Sequence, residues 1–133
     1  MTFVASPRFL PAVLYIDAVS AAGSCLLHVA AASALAAWLG LPTVLLFASG
    51  MALFAVAALA AFAARVRPLP RGVVYLLVAI NAGWVVGCVE LLLAASGLTT
   101  LGQAFLVLQA VFVGALAQLE WMGARRAPAA AWA

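Results

Sequence analysis

Lysine is absent from this sequence, and charge of either sign is scarce: six arginines, three acidic residues and one histidine in 133 positions. Soluble domains carry about 25% charged residues. Here the charged share is 7% and the hydrophobic share 70%, which excludes an ordinary soluble fold. The net charge of +3 comes without a basic stripe interleaved with aromatics, so nucleic acid is not an expected partner. Only two cysteines occur, Cys25 and Cys88, both inside apolar segments, and no extracellular disulfide framework is implied. Haem held by two histidines would need a dimer, because each chain has one. Also missing are a nucleophile–base pair, a phosphate-cradling glycine loop and paired general-acid carboxylates. Catalysis therefore has no support, and no cofactor is expected.

What the chain does have is long apolar runs. Its length suffices for one unit of four spans, at about 20 residues for each crossing. The runs predict helices over about 12–39, 43–64, 73–96 and 101–122. The expected fold is an all-α, four-transmembrane-helix bundle of two antiparallel helical hairpins. Residues 1–126 form its single domain and 127–133 a short mobile tail. Gly40 is a natural end for the first helix, with Trp38 as its interfacial anchor. Ser96-Gly97-Leu98-Thr99-Thr100 makes a second tight turn, where Thr100 with Gln103 fits a capping box. The lead-in MTFVASPRFLP and AAGSC at 21–25 faintly resemble an export signal. Asp17 interrupts that apolar region, and the run continues to Leu39, so an uncleaved first helix is expected.

Arginine placement predicts orientation. Arg8, Arg65, Arg67, Arg71, Arg125 and Arg126 all flank one set of helix ends, while the turns near 40 and 97 carry no charge. The positive-inside rule then puts both termini and the middle loop in the cytoplasm (N-in/C-in). Arginine without lysine, with abundant alanine, points to a GC-rich bacterial genome and hence to the bacterial inner membrane. Gly40-Leu-Pro-Thr43 and Gly97-Leu-Thr-Thr100 occupy equivalent turns, either as a parallel tandem repeat or through shared turn chemistry.

The most informative stretch is 12–39. Asp17, Ser20, Ser24 and His28 are spaced 3, 4 and 4 apart and form one polar stripe on a helix. An aspartate at a helix centre in hydrocarbon costs roughly 2.5–3.5 kcal/mol, so the stripe needs protein partners. Counted at ~1.5 Å per residue, His28 and Glu90 lie at one outer level, roughly 25 Å in, with Gln103 near it. Asp17 and Asn81 share a shallower inner level.

Glu90 continues the face of Gly83 and Gly87, where close helix approach would turn it toward protein. A His28–Glu90 contact is therefore allowed, as a structural pair or a proton-handling one. Asp17 is either a tether to Arg8, Arg71, Tyr75 or Asn81, or a transport-coupling carboxylate. Asn81 and Trp84 share a face as helix glue or as part of a ligand cage. Glu120, read at the cytoplasmic end of the fourth helix, is expected to pair with an arginine. Cys25 and His28 are i, i+3 neighbours, but Cys88 and Glu90 point opposite ways on their helix, so no metal site is expected.

Asp17, Gly40-Leu-Pro42, Asn81-x-x-Trp84, Gln109-Ala110 and Leu119-Glu120 together resemble a loose group of uncharacterised small bacterial four-span integral membrane proteins. That resemblance covers the whole chain, implies the topology and brings no activity with it. The small multidrug-resistance transporters are similar in having four spans and an acidic residue in the first, but the likeness stops there. The leading expectation is an accessory or interaction protein of a membrane complex, partnered by lipid, by itself or by another membrane protein. The alternative is a proton-coupled transporter of a small molecule, working through Asp17 or Glu90.

Overall fold

The computed structural model describes residues 6–132. Its helices are α1 (Phe9–Ala30), α2 (Ala32–Leu39), α3 (Thr43–Arg65), α4 (Arg71–Ala94) and α5 (Thr100–Arg126), followed by a one-turn 3-10 helix at Ala129–Ala131. In hydrocarbon every backbone N–H and C=O must be satisfied within the protein, and helices do this segment by segment. Among the described residues, α1, α3, α4 and α5 are long and apolar enough to cross a membrane, so the chain is a multi-pass membrane protein. The first five residues of the lead-in and Ala133 lie outside the described residues.

The first span departs from the straight helix expected over 12–39. It starts earlier, at Phe9, because Pro11 falls in the first turn, where its missing N–H has no partner to lose. It then breaks at Ala31, whose φ of −118° and ψ of 22° leave the helical region. Ala31 N still donates to Leu27 O at 3.0 Å, and Leu35 N to Ala31 O at 2.8 Å. No proline or glycine marks the break in the sequence.

The helices pair as two hairpins, α1 on α3 and α4 on α5, with sparser packing between them. Gly50 is the crossing point of the first pair. A side chain there would come within 2.8 Å of Val29 Cγ2 and 3.0 Å of His28 Cβ. Small residues on α3 (Ala60, Ala63, Ala64) bury against Leu14 of α1 and Val74 and Leu77 of α4.

The two uncharged turns lock the hairpins to each other. Gly40 and Gly97 both adopt positive φ, 72° and 90°. Any Cβ at Gly40 would strike Gly97 O, and one at Gly102 would strike Leu39 O. Thr99 is the working residue of this joint. Its N–H donates to Leu39 O at 3.1 Å, and its hydroxyl donates to Trp38 O at 2.7 Å and accepts from Gly102 N at 3.0 Å. The cap of α5 is thus Thr99 with Gly102, one residue before the expected Thr100 with Gln103.

At the arginine-bearing end, α5 continues to Arg126, four residues past the expected stop. Residues 127–132, read as a mobile tail, fold back on the middle loop. Leu69 N donates to Ala131 O at 2.8 Å, and the Arg71 guanidinium lies 5.8 Å from the ring centroids of both Tyr75 and Trp132.

Candidate functional site

Three polar side chains from three helices meet inside the bundle. Asp17 of α1, Asn81 of α4 and Glu120 of α5 are 3%, 4% and 0% exposed. The Asn81 carboxamide gives one hydrogen to Asp17 Oδ2 at 3.3 Å and the other to Glu120 Oε2 at 3.2 Å. The nitrogen end of the amide thus serves an acceptor on each side. The carboxyls of Asp17 and Glu120 are also within hydrogen-bonding reach of each other. Glu120 Oε1 receives no hydrogen bond from any described donor.

This is a correction to the expected place of Glu120 beside an arginine at the membrane edge. The longer α5 explains it. Glu120 lies six positions before Arg126, so the carboxyl sits about 9 Å in from that helix end. Arg125 is occupied elsewhere, its guanidinium 5.6 Å from the Trp121 ring centroid. Asp17 and Asn81 lie at the matching level, eight and ten residues from the starts of α1 and α4. The shared inner level read from the sequence thus becomes a bonded pair, and Glu120 is its third member.

Two carboxyls in contact cannot both ionise in a low-dielectric site with one amide between them. A proton shared by the pair would relieve their repulsion. A carboxyl proton is also what can turn one of these oxygens into a donor, since the single amide has both hydrogens committed.

Asp17 and Asn81 of this cluster line a partly open cavity of about 320 Å³ bounded by all four spans. Asp17, Asn81, Ser20 and Ser24 supply its polar wall. Trp84, Phe105 and Phe112 line it with aromatic surface, and apart from Gln109 the rest is aliphatic. A second cavity of about 540 Å³ lies toward the glycine turns, with His28, Ser49, Cys88 and Glu90 among its lining residues. Trp84, Phe105 and Gln109 border both. Trp84 Nε1 donates to Gln109 Oε1 at 2.8 Å, so a hydrogen-bonded bridge and one phenyl ring stand between the two spaces.

The outer polar residues are not joined as the inner ones are. His28 is buried, its Nδ1 is 2.8 Å from Ser24 O and its ring packs edge-on against Phe105 at 5.8 Å. Glu90 is exposed, with no hydrogen bond or ion pair to any described residue; it shares a cavity with His28 and no bond. The Gly83–Gly87 face that should have turned Glu90 toward protein is open, since a Cβ at either glycine meets nothing within 4 Å. Gln103 is also exposed, at the start of α5. Among the described residues no three His, Cys, Asp or Glu side chains gather as metal ligands.

Besides Glu120, the sequence reading missed Gln109, quoted for the resemblance and not as a site. Its only signal is placement on α5 at the depth of Trp84, whose N–H needs an acceptor in a dry interior. Compared with known protein families, curated proteins and solved structures, the chain matches none.

Proposed function

We propose that this protein carries a small molecule across the bacterial inner membrane, coupled to protonation of the Asp17–Glu120 pair, with both termini in the cytoplasm. The observation that supports this reading is the pair itself: two carboxyls side by side at membrane depth, with Asp17 on the wall of a cavity and Glu120 behind it. A purely structural core gains little from such a pair, because apolar side chains of the same volume usually stabilise a bundle as well or better. Ionisable groups inside spans more often belong to substrate or proton paths. The stacked cavities and the Trp84–Gln109 bridge between them fit the same reading, as two halves of a path with a closed partition. Glu90, the other carboxylate considered for coupling, lines only the outer space and touches no second acid.

An accessory role in a membrane complex remains the second reading, favoured by the near-complete burial of Asp17 and Glu120 where three helices meet. Proteoliposome recordings separate the two. A chemically broad panel of amines, acids and neutral compounds is applied, and compound-driven proton currents are recorded on a solid-supported membrane. The transport reading expects at least one compound whose current is present in the wild type and lost in Asp17→Asn/Glu120→Gln. A panel with no such compound favours the accessory reading.

A further inference from the structure

We infer that the central cavity binds a small lipophilic organic cation, an ammonium type, and that its binding expels a proton from the Asp17–Glu120 pair. This deepens the proton-coupled reading above and rests on it.

Charge balance is the first argument. No arginine or histidine forms an ion pair with Asp17 or Glu120 among the described residues. Along the elements packed around the pair, α3 has no ionisable side chain before Arg65. On α4 the titratable groups are Arg71, Tyr75, Cys88 and Glu90, with Arg71 at the helix start against the Tyr75 and Trp132 rings, and Arg125 and Arg126 lie beyond Glu120 on α5. On α1 itself, Tyr15 is exposed, Cys25 is half-buried, and His28 is held to Ser24 O three turns away. A net negative charge on the pair would therefore be uncompensated in a dry site, which low dielectric strongly disfavours. Empty, the pair is neutral with both protons bound. With a monocation beside it the site stays neutral only if the pair carries one. One proton leaves for each cation that enters, and no other bond is made or broken.

The cavity lining is the second argument. Its ionisable wall is Asp17 alone, with Glu120 behind it through Asn81, so the charge it can complement is positive. Trp84, Phe105 and Phe112 add aromatic surface of the kind that attracts organic cations. Leu53, Val56, Ile80, Val113 and Leu116 make the remainder a poor home for a hydrated metal ion. About 320 Å³ lies at the small end of the roughly 300–1,000 Å³ range of ligand pockets, so the ligand is compact.

Benzyltrimethylammonium is a suitable probe because it has no proton of its own to lose. Neopentylbenzene is its neutral isostere. Each is titrated into the full-length protein in weakly buffered detergent solution, with binding followed by calorimetry and proton release by an indicator dye. The expected result is release of close to one proton per benzyltrimethylammonium bound, and none with neopentylbenzene. The double variant Asp17→Asn/Glu120→Gln should abolish the release and weaken binding by about tenfold or more, whereas either single variant keeps one acid that can still discharge. Gln118→Ala, at an exposed position of α5 that lines neither cavity, should match the wild type and controls for general disturbance.

Equal binding of the neutral isostere, cation binding without release, or unchanged release in Asp17→Asn/Glu120→Gln would each overturn the inference. A pH jump on the same samples separates the two proposals. If the wild type exchanges protons that Asp17→Asn/Glu120→Gln does not, yet the cation releases none, the ligand class fails and the proton-handling pair stands. If neither exchange occurs, both fail.

Discussion

At the residue scale, Asn81 is the keystone of the polar cluster, and its role is asymmetric. It is the one neutral donor shared by two acids, so replacing it leaves both with unmet acceptors in a dry interior. Asn81→Leu is expected to destabilise the protein by about 1–3 kcal/mol, read as a lower thermal midpoint in detergent. The triple change Asp17→Leu/Asn81→Leu/Glu120→Leu should recover part of that loss, since apolar replacement of a whole buried set is often tolerated. A triple variant weaker than the single one would mean the cluster stabilises the fold outright. Half of this cluster was legible in the sequence: depth counting put Asp17 and Asn81 at one level. Glu120 was not, because its position depends on where α5 ends. Arg125 and Arg126 look like a membrane edge, and only the extra helical turn takes Glu120 inside.

At the element scale, glycines divide by what surrounds them, and spacing along a helix does not reveal which kind is which. Gly83 and Gly87 have the i, i+4 spacing of a close helix contact, yet their face of α4 is open. Gly40 and Gly102 look like ordinary turn and helix residues, yet backbone from the opposite hairpin fills the space beside them. Gly102→Ala is expected to cost about 1–3 kcal/mol through overpacking. Gly40→Ala should cost about the same through collision and the strain of positive φ. Gly83→Ala and Gly87→Ala should fall within about 0.5 kcal/mol of the wild type or stabilise α4. Thermal unfolding of the four variants in one detergent checks the contrast, and equal losses at all four would refute it. The break at Ala31 and the Thr99 cap were hidden for a related reason. The break at Ala31 has no local sequence marker, and at the cap two adjacent threonines are equally good candidates until the contact of Thr99 with the other hairpin chooses between them.

At the scale of the whole molecule, the fold class was the most legible feature, because four apolar runs and two charge-free turns leave few alternatives in a bilayer. All six arginines belong to one end of the bundle, and that asymmetry carries the proposed orientation. Reporter fusions at residue 69 and at the C-terminus are expected to report the cytoplasm, and fusions near 41 and 98 the outside. An external signal at 69 would invert the bundle and place the Asp17–Glu120 pair near the opposite face.

Everything proposed for this protein depends on whether the two buried acids hold and exchange a proton inside a membrane. Infrared difference spectroscopy in lipid bilayers addresses this directly, because a protonated carboxyl and a carboxylate absorb at different frequencies. Spectra are taken between acidic and alkaline pH for the wild type and for Asp17→Asn/Glu120→Gln. The account expects a carboxyl carbonyl band that disappears from the wild type as pH rises and is missing from the variant throughout. A wild-type spectrum with no titrating carboxyl band beyond those of the variant would contradict it.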